Sequence, residues 1–120
     1  MTKFYPDGLP QELKDTALWC VWRYERREGQ DKPTKVPYNA RTGGRAMSNS
    51  PSTFTSYQTA VKALERGGYD GLGVGVFNGL CGVDIDDCLD ENGTPSPLAR
   101  DIVSTMQSYT ETSPSGRGIR

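Results

Sequence analysis

Apolar positions recur along this chain at two spacings, every second residue in some stretches and every third or fourth in others, and each change of period marks an element. Leu9, Leu13 and Ala17 stand four apart around Pro10, which suits a short opening helix through about Ala17. Trp19-Cys20-Val21-Trp22-Arg23-Tyr24 is aromatic and β-branched on both faces and predicts a strand. Polar residues from Glu25 to Asp31 connect it to an extended Lys32-Pro33-Thr34-Lys35-Val36-Pro37-Tyr38. The two prolines of that segment lack a donor, which places it at a sheet edge or on the surface. Gly43-Gly44 marks a turn or loop within Asn39 to Met47.

A second helix is expected to start at Ser50-Pro51 or Ser52, with Tyr57, Ala60, Val61 and Leu64 forming one buried stripe and Gly67-Gly68 closing it. Gly71 to Phe77 and Cys81 to Asp87 are apolar runs meeting at Asn78-Gly79, a pair that accepts the positive φ values of a tight turn, so they predict a β-hairpin. Asp90-Glu91-Asn92-Gly93 makes another turn, and Ser96-Pro97 offers a cap and a preset φ to a third helix. There Leu98, Ile102 and Met106 recur every four residues beside Ala99 and Val103, a face expected to cover a sheet. Tyr109 to Thr112 has strand character, Ser113 to Gly118 is a loop, and Ile119-Arg120 starts a further strand. This order predicts an α+β fold, a largely antiparallel sheet with helices packed on it, RNA-recognition-like and incomplete at the C-terminus.

A chain of 120 residues suffices for one domain with a modest core. The expected organisation is a single domain, 1–120, with a division near Met47 between a basic lobe, 1–47, and an acidic lobe, 48–120. No apolar run is long enough to cross a membrane, and Met1 to Pro6 lacks the apolar core of a secretion signal, so a cytoplasmic location is expected. Cys20, Cys81 and Cys88 are odd in number and the chain has no histidine, which argues against a disulfide framework, structural zinc and Ser-His or Cys-His catalysis. Chemistry must then use carboxylates, Lys, Arg, Tyr, hydroxyls or a metal.

The formal net charge of −1 conceals an uneven distribution. Arg23 to Arg45 holds seven basic and three acidic residues, whereas Asp84 to Glu91 holds five acidic and none basic. A cationic surface beside an anionic pocket suits a polyanion bound next to a cation. In the acidic run, alternation sends Val83 and Ile85 to one face and Asp84 and Asp86 to the other, with Cα atoms about 7 Å apart. Hard ions such as Mg²⁺ or Mn²⁺ are commonly held by one or two carboxylates plus substrate phosphates. An acidic strand end is also an ordinary solvated rim, and the residues by themselves leave both readings open. A calcium loop fails on spacing, since Cys88 and Leu89 stand where an oxygen ligand and a glycine are needed. Gly71, Gly73 and Gly75 miss the dinucleotide pattern and lie within a strand. The glycines of Ser113-Pro114-Ser115-Gly116-Arg117-Gly118 can turn backbone N–H groups toward an anion, with Arg117 adding charge.

Taken in order, Trp19-Cys20-Val21-Trp22, Lys32 to Tyr38, Gly82-Val83-Asp84-Ile85-Asp86-Asp87-Cys88 and Ser108 to Ile119 resemble the phage and plasmid primase-polymerases of the archaeo-eukaryotic primase superfamily. The resemblance implies that Asp84 and Asp86 bind catalytic Mg²⁺ or Mn²⁺, and that Ser115, Gly116 and Arg117 contact a nucleoside triphosphate, NTP or dNTP. Arg120 stands about where the family often has a histidine that touches the triphosphate. An arginine can hold phosphate bidentately but cannot exchange protons near neutral pH. The family's third carboxylate lies on a later strand, so the chain is expected to be the N-terminal part of a longer phage, prophage or plasmid primase in a bacterial host, inactive by itself, with a replicative helicase domain as a possible downstream partner. The implied activity is template-directed nucleotidyl transfer, with Lys35, Arg41 and Arg45 following a single-stranded DNA template and Trp22 or Tyr38 stacking on bases. The alternatives are a non-catalytic nucleic-acid-binding module with the same shape and a metal-dependent nuclease or phosphoesterase using the same acids.

Overall fold

The computed structural model describes residues 8–29 and 31–120. Met1 to Pro6, read above for the lack of a leader, lie outside the described residues. Three strands form an antiparallel sheet in the order β2-β1-β3, with β1 at Trp19–Glu25, β2 at Thr34–Tyr38 and β3 at Gly71–Val74. Val21 lies opposite Tyr38 on one side and Leu72 on the other. The proline-bearing segment is an edge strand, as its missing donors require.

Alternation sends Trp19, Val21, Val36, Tyr38 and Leu72 to one face, where they pack with Ala60 and Ala63 of helix α2, Tyr57–Arg66. Those two alanines let the helix backbone approach closely, and Ala60 and Val21 have no exposed surface. Leu9, Leu13 and Ala17, in and around helix α1 (Gln11–Thr16), join the same cluster, and Trp19 Nε1 donates to the Leu13 carbonyl at 3.1 Å. Helix α2 starts later than Ser50-Pro51 or Ser52 suggests. Pro51–Thr53 forms one 3₁₀ turn, and Ser56 caps the helix by accepting from Thr59 N–H. At its end Gly67 takes a φ of 93°, which favours glycine.

The other face carries Cys20, Trp22 and Tyr24. Trp22 lies over β3, where a Cβ on Gly71 would fall 2.7 Å from the indole, and its Nε1 donates to the Leu72 carbonyl. Cys20 sits likewise over Gly73, and burial pushes its thiol up to about 11. All three cysteines are free.

The expected hairpin of residues 71–87 does not form. Asn78 and Gly79 have the positive φ values of a tight turn, 56° and 86°, and Leu80 N–H closes it on the Phe77 carbonyl. Phe77, however, folds back over Gly75, where a Cβ would fall 2.6 Å from its ring, and meets Phe54 edge to face. The chain thereby leaves the extended path after Val74, and the acidic run pairs elsewhere.

Two compact units result, Met1–Leu80 and Cys81–Arg120. The division falls after Leu80 and not near Met47, because β1 pairs with both β2 and β3 and so draws residues on either side of Met47 into one sheet. In the second unit Cys88, Leu89 and Ala99 form a small core with Ile85 and Ile119 against it. Helix α3, Pro97–Met106, starts as its sequence predicts, Ser96 accepting from Ala99 N–H at 3.2 Å ahead of Pro97. Its expected buried stripe is corrected: Leu98 and Met106 are 66% and 60% exposed, and the helix is anchored through Ala99. Among the described residues no helix is long and apolar enough to cross a membrane.

Candidate active site

The acidic run is tied first to the strand that leaves the glycine loop. Ile85 and Ile119 exchange both backbone hydrogen bonds, at 2.9 and 3.0 Å, and both side chains pack against the small core. On the far side of the same segment, Glu111 and Arg120 exchange bonds of 2.7 and 2.9 Å, and Ser113 N–H donates to the Gly118 carbonyl. Residues 118–120 are therefore the middle line of a short antiparallel ladder, flanked by Ile85 and by 111–113. Ile85 and Ile119 turn to the core, and Glu111 and Arg120, directly opposed across the ladder, leave it together. The acids flank a single bridged residue and do not lie on a long strand, because Asp87 takes a left-handed φ of 50° and turns the chain.

Gly118 is what allows this approach. A Cβ there would fall 2.8 Å from the Ile85 carbonyl oxygen and 3.6 Å from Asp86 Cα. Leu89 N–H, donating to the Arg117 carbonyl at 2.9 Å, fastens the loop a second time.

Inside the loop three backbone donors are already engaged. Gly116 N–H donates to the Ser113 carbonyl, Arg117 N–H to Ser115 Oγ and Gly118 N–H to Ser113 Oγ. Ser115 and Ser113 hydroxyls lie 3.0 Å apart. Arg117 pairs with Asp87 at 3.3 Å, both side chains being 71% or more exposed. Arg120 Nε donates to Glu111 Oε1 at 2.8 Å, and Tyr109 Oη donates to Glu111 Oε2 at 2.7 Å. Partial burial and the neighbouring Glu111 carboxylate push the Tyr109 phenol up to about 12, so it stays a donor at neutral pH.

Asp84 and Asp86 are exposed, and neither carboxylate has a hydrogen-bond or ion-pair partner among the described residues. Open, unpartnered oxygens fit a hard divalent ion that retains water and takes further ligands from substrate phosphate. They do not make a closed protein cage: among the described residues no three His, Cys, Asp or Glu side chains gather to hold a metal.

The basic candidates belong to the other unit. Lys35 stands on the edge strand β2 with Nζ 5.4 Å from the Trp22 ring. Arg41 sits in the exposed turn closed by Asn39 and Gly44, and Arg45 bridges to Tyr38. Trp22 and Tyr38 are not open stacking platforms, each being only 8% exposed. Trp22 lies down on glycines, and the Tyr38 hydroxyl donates to Glu25 and accepts from Arg23. Those contacts, Tyr38 first, hold the Glu25 carboxyl below its ordinary value, and Arg45 adds to the effect. Tyr24, 41% exposed, is the more open aromatic on the Trp22 face.

Sequence reasoning assigned no role to Tyr109 or Glu111. The available signal was their two-residue spacing on a strand that returns through a glycine loop to Arg120.

Fold and geometry together define a class, an α+β protein whose acidic segment is hydrogen-bonded to the strand leaving a Ser-Gly-x-Gly loop. In an alignment 110 positions long that covers 89% of the chain, it is 36% identical to a DNA primase-polymerase of Nitratiruptor phage NrS-1. It is a relative of that phage primase-polymerase and spans 14% of the phage protein's length. No family model matches the chain.

Proposed function

We propose that this chain carries the acidic pair and nucleotide loop of a template-directed nucleotidyl transferase of the primase-polymerase type, serving phage or plasmid DNA replication. The observation that supports this best is the reciprocal hydrogen bonding of Ile85 and Ile119, which brings the Asp84–Asp86 segment beside Gly118 and Arg120. In this reading Asp84 and Asp86 are the Mg²⁺ or Mn²⁺ ligands. Such an ion, when bound, neutralises triphosphate charge and favours ionisation of the attacking 3′-hydroxyl.

The rest is positioning by the chain's own side chains. Arg120 turns its guanidinium toward the phosphates of an NTP or dNTP, with Ser115, Gly116 and Arg117 lining the approach. Lys35, Arg41 and Arg45 bind the backbone of a single-stranded DNA template, an attraction that weakens as salt rises. Rate enhancement then comes from alignment and charge complementarity, with no side chain required to form a covalent bond.

The test is Mn²⁺-dependent nucleotide incorporation on a primed single-stranded template, by this chain and by a longer polypeptide containing it. Asp84→Asn is expected to lower incorporation by about a hundredfold or more while leaving the melting temperature unchanged, because the carboxylate supports no internal contact. Wild-type incorporation by Asp84→Asn would remove the pair from the site. Strand loss without added nucleotide would indicate a nuclease, and salt-sensitive DNA binding with no product from either polypeptide a binding module.

A further inference from the structure

Arg120 is held in an unusual way for a surface ion pair. A carboxylate facing a guanidinium commonly takes two parallel N–H bonds, using both its oxygens. Here Glu111 gives Arg120 only Oε1, at 2.8 Å from Nε, while Oε2 accepts from the Tyr109 hydroxyl at 2.7 Å. The far end of the guanidinium, with the four N–H donors on its two Nη atoms, has no partner among the described residues. That end is the one suited to take two oxygens of a phosphate at once.

The backbone supports the same arrangement. Glu111 and Arg120 are directly opposed across the ladder, so their side chains leave from one face, and Tyr109, two residues before Glu111, leaves from that face too. Tyr109, Glu111 and Arg120 thus form a chain of donors and acceptors that ends in a cation held at its Nε. A free arginine side chain must lose several rotamers to chelate phosphate, and here Glu111 has already restricted them.

We propose that Glu111 is a positioning residue for Arg120, orienting its Nη edge toward the triphosphate of the incoming nucleotide, with Tyr109 preventing Glu111 from closing over that edge. The proposal rests on the reading of Arg120 as a phosphate contact. It predicts a counter-intuitive sign, since removing a negative charge next to an anion site weakens anion binding.

The experiment is calorimetric titration of the whole 120-residue chain with inorganic tripolyphosphate in Mg²⁺. Arg120→Ala is expected to weaken binding by about tenfold or more, as loss of a charge-assisted bidentate contact does. Glu111→Ala is expected to weaken it severalfold, and Glu111→Gln, which keeps an acceptor for Nε, to stay within about twofold of wild type. In the Arg120→Ala background, Glu111→Ala should cost nothing further, because it acts only through the arginine. Should Glu111→Ala unfold, Glu111→Asp, which keeps the charge and withdraws the carboxylate by one methylene, carries the same expectation. Tighter binding by Glu111→Ala, or an equal loss with and without Arg120, overturns the positioning role. Unchanged binding by Arg120→Ala overturns the underlying reading of Arg120, and the proposal with it.

Discussion

At the scale of single residues, the candidate site depends on what Gly118 lacks. Any side chain there would meet the Ile85 carbonyl at 2.8 Å, a backbone atom that cannot swing away. Gly118→Ala is therefore expected to destabilise the second unit by about 1–3 kcal/mol through overpacking, and to part the acidic segment from the loop. Urea denaturation followed by far-UV circular dichroism measures the first effect, and the loss of amide protection at Ile85 and Ile119 the second. Gly116 is glycine for another reason. Its φ is 78° with open space where a Cβ would stand, so conformation and not contact selects it.

At the scale of elements, helix α3 separates what a helix needs to form from what it buries. Ser96 caps it and Pro97 presets its first turn, so Ser96→Ala should cost about 1 kcal/mol. Leu98→Gln should change stability by no more than about 0.5 kcal/mol, because Leu98 is already largely in water. Comparing urea midpoints of the two variants checks both values. A midpoint loss for Leu98→Gln equal to that for Ser96→Ala would show the leucine stripe to be packed. In the first unit the sheet needs strand β3 to be nearly bare, since Gly71 and Gly73 make room for Trp22 and Cys20.

At the scale of the whole molecule, the two units have cores of different weight. The first gathers Trp19, Val21, Val36, Tyr38 and the helix alanines around a strand paired on both sides. The second has Cys88, Leu89 and Ala99, with Ile85 and Ile119 against them. Burial of apolar area is the main source of stability, so the units should not open together. Native-state hydrogen exchange is expected to be slowest at Val21 and Trp22, and faster by about tenfold or more at Ile85 and Ile119. Equal protection in both units would mean one cooperative block. The candidate metal and nucleotide residues thus lie on the unit expected to open more readily.

Much of this was legible in the amino-acid order because it depends on local chemistry. The strand at Trp19, the proline-marked edge, the caps at Ser96 and Gly67, and the carboxylates either side of Ile85 each follow from neighbours a few residues apart. Partner choice was not local. Asn78-Gly79 makes the turn it promises, yet Phe77 finds Phe54, and the acidic run pairs with Ile119 instead of β3. Pattern alone likewise could not tell that Trp22 lies flat on glycines, that Ala99 rather than Leu98 anchors α3, or that Tyr109 and Glu111 reach Arg120. Periodicity states which residues share a face, and only the three-dimensional packing decides what that face meets, because distant segments compete for the same apolar surface and the same backbone hydrogen bonds.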